Sequence, residues 1–306
     1  MRAQFPFPRI GLALSASHRL TGSVMDAALP TSYGSKMQDN ERAPLRVAIA
    51  GYGAIGKTIA AHLLAGIPGL SLVAVGVRNH DAARALLPSQ VAVTDMGALA
   101  KQADIVVECA PAAVLGDIAE PALRAGRSVV VLSCGALLER PELMGLARAH
   151  GGRILVPTGA LLGLDAVIAA AEGIIESVRL TTRKPPGGLA GAPHLVRHGI
   201  SVEGLTEAKL VFEGTAREAA RGFPANVNVA AALSLAGIGA DRTHISIWAD
   251  PAVTRNVHQI DVEADSARFS LTIENVPSEN PRTGRITALS VVALLRKLRS
   301  PLAVGT

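Results

Sequence analysis

Apolar residues in this chain arrive in short unbroken runs, separated by stretches with helical spacing. Leu45–Ala50, Leu70–Val77, Ala103–Ala110 and Ser128–Ser133 are mostly Val, Ile, Leu and Ala. Such runs are what strands buried on both faces of a parallel sheet look like. Shorter runs at Gln90–Thr94 and Arg153–Pro157 extend the series, and Lys57–Ala65, Ala82–Leu87, Val114–Ala125 and Pro141–His150 read as the helices between them. Gly126 is placed as a helix stop. The alternation predicts βαβ units and a doubly wound α/β sheet over residues 44–162.

Beyond Gly163 the period changes. Asp165–Glu172 reads as a helix, and Ser177–Thr182, Ile245–Ala249 and Phe269–Glu274 alternate apolar with polar residues, as half-exposed strands of an antiparallel sheet do. A second, α+β domain for substrate binding and dimerisation is therefore expected over residues 163–280. The C-terminal segment, residues 281–306, carries an amphipathic helix at Thr287–Leu298 expected to pack back on the first domain. Residues 1–43 are irregular and rich in Ser, Pro and Ala. They read as a disordered extension, or as sequence ahead of a later start at Met25 or Met37, with the fold beginning near Pro44.

Composition narrows the classes. Of the 306 residues, 49% are hydrophobic and 18% charged, so most of the chain must pack. Glu172 and Glu176 interrupt the longest apolar stretch, which excludes a membrane helix there. The net charge of +5 and pI near 9.6 come from dispersed basic residues, and aromatics are 3%, which argues against nucleic acid. A basic surface that attracts small anionic metabolites is the expectation instead. Cys109 and Cys134 are the only cysteines. Two thiols at strand ends suit a reducing cytoplasm, and neither has metal-ligand neighbours, so no metal site is expected.

The first apolar run turns directly into Gly51-Tyr-Gly53-Ala54-Ile55-Gly56 and then into a helix. In that context the glycines have distinct tasks: Gly51 for a tight turn, Gly53 for approach of a pyrophosphate, Gly56 for close helix–strand packing. Residues Gly51, Gly53, Ala54, Ile55 and Gly56 are thus the candidate dinucleotide contacts of a Rossmann domain. The acid that usually follows about 20 residues later, to bind a ribose 2′-OH, is missing. Val77 takes its place and Arg78 follows. Arg78 suits a 2′-phosphate, or else it is a solvated loop residue and Asp81 serves the ribose. NAD and NADP both stay open, with NADP or dual use favoured.

Hydride chemistry also needs a proton carrier and cations for carboxylates. Three downstream clusters offer them: Thr182-Arg183-Lys184-Pro185-Pro186, Phe223-Pro-Ala-Asn226-Val-Asn228, and Asp250-Pro…Arg255-Asn256-Val-His258. Arg183 and Lys184 are substrate-carboxylate candidates or a solvated edge. Asn226 and Asn228 contact a ligand or cap a helix. His258 is a proton carrier or a structural histidine.

Together with Glu108-Cys-Ala110, Pro157-Thr-Gly-Ala160 and Glu274-Asn-Val-Pro-Ser-Glu-Asn280-Pro281, these clusters resemble the L-aspartate dehydrogenase family over about Leu45 to Leu298. The resemblance implies that His258 is the active-site residue and that Ala160 and Asn228 contact NAD. It implies oxidation of L-aspartate to iminoaspartate and then oxaloacetate plus ammonia, or the reverse reductive amination, with a link to NAD biosynthesis. A cytoplasmic homodimer acting on small molecules is expected, with no nucleic-acid or membrane partner. Two other readings remain. One is a related reductase of the homoserine dehydrogenase or dihydrodipicolinate reductase type; the other is a protein that binds NAD(P) as a sensor without turnover.

Overall fold

Six parallel strands make the first sheet, in the order β3-β2-β1-β4-β5-β6, which reverses direction of travel between β1 and β4. They are β1 (Leu45–Ala50), β2 (Leu70–Gly76), β3 (Ala92–Thr94), β4 (Ile105–Glu108), β5 (Ser128–Val131) and β6 (Arg153–Leu155). The intervening helices are α1 (Ala54–Leu64), α2 (His80–Arg84), α3 (Leu115–Arg124), α4 (Cys134–Leu138) and α5 (Glu142–His150). The computed structural model describes residues 43–224, 227–277 and 284–306. The extension expected at residues 1–43 (Ala43 apart), Asn226 and the Asn280-Pro281 pair lie outside those residues.

The apolar runs are buried on both faces because each sheet face is covered. Val47, Ile49, Ile105 and Val107 pack with Ile59 and Leu63 of α1 on one side. Ala48, Ala50, Val106 and Val129 pack with Leu115, Ile118 and Leu123 of α3 on the other. Val291, Val292 and Leu295 of α10 (Ile286–Lys297) belong to the first of these clusters, so the C-terminal helix lies beside α1.

After α6 (Leu164–Ala171) comes a second, five-stranded sheet in the order β11-β10-β7-β9-β8. Its strands are β7 (Ile175–Lys184), β8 (Lys209–Thr215), β9 (Thr243–Ala249), β10 (Asn256–Ala264) and β11 (Arg268–Asn275); α7 (Pro193–Arg197), α8 (Ala216–Gly222) and α9 (Asn228–Ala236) interrupt them. The expected antiparallel sheet is in fact mixed, since β7 and β9 run parallel. The chain between them passes through α7, β8, α8 and α9, a crossover long enough for parallel pairing, which a hairpin is not.

Alternation along β7 decides what faces the helices. Val178, Leu180, Thr182 and Lys184 are buried on one face, whereas Arg179 is exposed and Thr181 and Arg183 are half-buried on the other. In β10 the same face carries His258, Ile260 and Val262. The apolar members pack with Val167 of α6 and Leu233 of α9. The polar members Thr182, Lys184 and His258 continue that row to the end of the sheet, where the hydrophobic core stops.

Candidate active site

At the carboxyl end of β1 the chain is forced into a glycine turn. Gly51 has φ +98°, and a Cβ there would lie 2.6 Å from the Cys109 carbonyl oxygen, a conformation and a space open only to glycine. Its N–H is held by Gly76 O at 2.8 Å. A Cβ on Gly56 would collide with the Gly51 carbonyl, while around Gly53 there is open space. That open space sits at the N-terminus of α1, whose first turn contains no acidic residue. Unneutralised N–H groups with room in front of them fit a pyrophosphate. The cradle therefore fits a dinucleotide. At the end of β2, Val77 is half-buried and Arg78 exposed. Asn79 caps α2 through Ala82 N–H, His80 pairs with Asp95 at 3.1 Å, and Asp81 is engaged by Arg84.

Between the two sheets lies a cavity of about 100 Å³, a size for a small metabolite. Its walls include Ile55 from the glycine loop, Thr158 and Ala160 after β6, Asn228 of α9, Asn256 and His258 of β10, and Lys184 of β7. Residues as far apart in the chain as Ile55 and His258 thus converge on one small volume.

Asn228, His258 and the turns that carry the cavity walls are fixed by identifiable partners. Glu108, fully buried at the end of β4, accepts hydrogen bonds from Ala110 N, Leu132 N, Ser133 N and the Ser133 hydroxyl at 2.9–3.1 Å. Burial pushes this carboxyl above the usual carboxylate range, and the bonds from Ser133, Leu132 and Ala110 oppose that rise. The turn so held leads into α4, where Gly135 N–H donates to Asn228 Oδ1 at 3.1 Å. Asn228 opens α9 but does not cap it; the helix has no side-chain cap. With its oxygen used, Asn228 has its NH₂ group to donate.

The Thr158–Ala160 segment is tied from the other side. Gly159 N–H donates to Ser290 Oγ at 3.1 Å, and Asn275 Nδ2 donates to Ala160 O at 2.9 Å. Thr182, Gly135, Ser290 and Asn275 were not legible as supports. Thr182, next to the Arg183-Lys184 pair, and Asn275, in the Glu274-Asn-Val-Pro segment, did stand inside motifs already singled out.

His258 is 2% exposed and faces Thr182 directly across the β7–β10 ladder, with Nδ1 3.0 Å from the threonine hydroxyl. Nε2 is then the ring nitrogen offered to a ligand. Burial, and after it the charge of Lys184, depress its pKa to about 3, so the ring is neutral. Lys184 is 4% exposed, and burial lowers its pKa to about 8. The Cys134 thiol, another wall of the cavity, is pushed up to about 12 by burial and the nearby Glu108, so it stays protonated and inert.

Arg183 points to the other face of β7. Its Nη1 pairs with Asp250 at 3.0 Å and its guanidinium lies 5.0 Å from the Trp248 ring centre. Asp250 Oδ1 accepts from Ala252 N–H at 2.9 Å. The Asp250-Pro251 turn is thereby anchored, and Arg183 does not line the cavity. Strand alternation separates two adjacent cations that looked equivalent. Among the described residues, no group of three or more His, Cys, Asp or Glu side chains is placed to hold a metal ion, and no helix is long and apolar enough to cross a membrane.

Residues 165–298 match the family model described as aspartate dehydrogenase, C-terminal, and residues 51–157 match that of the homoserine dehydrogenase NAD binding domain. The chain is 61% identical over 267 residues to an L-aspartate dehydrogenase of Bradyrhizobium diazoefficiens, covering 86% of this chain and 94% of that one. It is 57% identical to L-aspartate dehydrogenase 3 of Bordetella bronchiseptica, covering 87% and 100%. The crystal structure of an aspartate dehydrogenase from Thermotoga maritima superposes with a TM-score of 0.67 at 24% identity, covering 85% of this chain and 99% of that one. At that identity it shows the shared fold.

Proposed function

The chain belongs to the aspartate dehydrogenase family, and on that premise we propose that it is an L-aspartate dehydrogenase that oxidises L-aspartate to iminoaspartate, which hydrolyses to oxaloacetate and ammonia, or runs the reverse reductive amination. One observation carries the reading for this chain. The cavity that holds His258 is walled also by Ile55, Ala160 and Asn228, a shared lining that supports a proton carrier beside the reactive end of a bound dinucleotide.

A bound nicotinamide dinucleotide supplies the hydride acceptor. The chain's residues position and protonate. The glycine cradle and the α1 N-terminus would receive the pyrophosphate. Asn228, its oxygen held by the Gly135 N–H, would hold the nicotinamide carboxamide through its NH₂ group. Neutral His258, oriented by Thr182, presents Nε2 to the substrate or to the attacking water. Of the two cations considered for the substrate carboxylates, Lys184 lines the cavity and Arg183 is held by Asp250 outside it.

NADP or dual cofactor use is part of the reading. Its support is the absence of an acid at the end of β2, with Val77 in that place and Arg78 exposed beside it. Iminoaspartate is also a quinolinate precursor, which gives the link to NAD biosynthesis. A cytoplasmic homodimer is the assembly expected from the family resemblance, and light scattering of the purified chain tests it.

The deciding experiment is an initial-rate assay with oxaloacetate, ammonia and either NADH or NADPH. Consumption of at least one reduced cofactor that depends on both other substrates is expected. No turnover with either would overturn the assignment, and cofactor binding without turnover would favour a sensor.

A further inference from the structure

Amine oxidation followed by imine hydrolysis needs two separate proton transfers, and two ionisable side chains meet in the cavity. Thr182 and His258 are directly opposed in the β7–β10 ladder. Lys184 stands two positions beyond Thr182, so the period of the strand returns its side chain to the same face. Both Lys184 and His258 line the cavity, together with Asn228 and Ala160. A lysine is almost never this deeply buried unless it is paired, and an ionisable group held by burial in a cleft is a functional-site candidate.

We infer that Lys184 is a catalytic residue: as a neutral amine it takes the proton from the substrate's α-ammonium group, while His258 serves the water that attacks the imine carbon. The inference rests on the aspartate-oxidising reading above and adds a division of labour to it.

The step balances. Nζ of Lys184 accepts one ammonium proton and becomes positively charged. The freed nitrogen lone pair forms the C=N bond as the Cα–H bond breaks. Its electron pair leaves as hydride to the oxidised nicotinamide dinucleotide, and the product is the protonated imine. Water hydrogen-bonded to His258 then adds to the imine carbon, and its two protons pass to the nitrogen. The C–N bond breaks, ammonium leaves with oxaloacetate, and Lys184 returns its proton to solvent.

Acidity supports this order of roles. Burial brings Lys184 down to about 8, near enough to neutrality for a useful neutral fraction. His258, held to about 3, is a poor acceptor for an alkylammonium proton but a serviceable hydrogen-bond partner for water. Among the described residues, two other ionisable groups near Lys184 take no proton in this step. Cys134 from α4 stays protonated, and the Asp250 carboxylate that follows β9 is engaged by Arg183 and Ala252 N–H. Among the described residues, no carboxylate lines the cavity.

Turnover of L-aspartate by the unaltered enzyme tests the underlying reading first. The inference is then tested by Lys184→Arg, Lys184→Met and Lys184→Ala. Binding of NADH, followed by its own fluorescence, monitors the fold. The aspartate oxidation rate of the unaltered enzyme should rise with pH through about 8. Lys184→Arg keeps a charge but cannot accept a proton, so it should lose about 10²-fold or more in kcat, as should Lys184→Met. Methylamine should restore turnover to Lys184→Ala in proportion to its neutral fraction. In the unaltered protein, modification of Lys184 by trinitrobenzenesulfonate should titrate near 8 and not near the ordinary ~10.4. That readout needs neither activity nor a variant that folds. The inference is overturned if Lys184→Arg keeps more than about a tenth of kcat and changes mainly the aspartate KM, the pattern of a carboxylate clamp. It is equally overturned if the rise near pH 8 persists in Lys184→Met, or if Lys184 modifies like an ordinary lysine.

Discussion

The side-chain oxygen of Asn228 accepts a hydrogen bond from the backbone N–H of Gly135, 3.1 Å away and 93 positions earlier in the chain. The bond joins the first helix turn after β5 to the start of α9, and it leaves the Asn228 NH₂ as a donor. Asn228→Asp has no donor to offer, and Asn228→Ala has neither group. Either variant should raise the Kd for the reduced cofactor by about tenfold, the worth of one hydrogen bond. Fluorescence titration checks it, and unchanged affinity would remove Asn228 from the cofactor site.

Glu108 acts one step further back. It takes four hydrogen bonds with no exposure to water. Glu108→Gln replaces one acceptor oxygen with an NH₂ that faces N–H or O–H donors. A loss of about 2–3 kcal/mol is expected from the unsatisfied buried groups. Denaturant unfolding measures it, and a change below about 0.5 kcal/mol would show that the turn after β5 does not depend on this carboxylate.

His258→Ala should cut kcat by about 10² or more if the ring moves a proton in the reaction. Thr182→Val, which removes the 3.0 Å partner of Nδ1, should lower kcat by about tenfold at a nearly unchanged aspartate KM. Thr182→Ser should restore most of it. Equal rates for the valine and serine variants would mean that the hydroxyl does not orient the ring.

Arg78 is the group at the end of β2 suited to a 2′-phosphate. Arg78→Ala should weaken NADPH by about tenfold through the lost charge-assisted bonds and leave NADH nearly untouched. Parallel KM measurements with both cofactors give the answer. A uniform change in both would place Arg78 outside the ribose site.

His258 also makes stability depend on pH. Its folded value of about 3 lies well below its ordinary value of 6.5, because burial and then Lys184 disfavour the charged ring. On acidification the unfolded chain takes up this proton first, near 6.5, while the folded chain resists until about 3. The histidine's contribution is therefore intact above about 6.5 and is lost as pH falls toward 3. Melting temperatures taken from pH 7 to pH 4 should decline more steeply in the unaltered protein than in His258→Gln. Parallel curves would contradict the depressed value.

Much of the first sheet was legible along the chain. Strands buried on both faces announce themselves as unbroken apolar runs, and three glycines between a strand and a helix leave few other meanings. The short strands β3 and β6 and the five-residue α4 carry a weaker pattern, since so few residues give no full period. In the second sheet, β8 went unread and the direction of β9 against β7 was misjudged. Periodicity reports which face a residue occupies and is silent on which strand lies beside it.

The candidate residues themselves were named from local motifs, but their grouping came from pairing over long separations. Arg183 and Lys184 are neighbours in sequence and looked interchangeable as cations. Only after β7 extended to Lys184 and paired with β10 did alternation send one side chain to Asp250 and Trp248 and the other to His258. By itself the sequence determined the doubly wound sheet, the glycine cradle and the residue types available for chemistry, because local periodicity and backbone sterics are carried by neighbouring residues. The tertiary structure alone decided which cation enters the cavity, which atom of Asn228 is used and how acidic His258 is, because those depend on register, burial and charges brought together from distant parts of the chain.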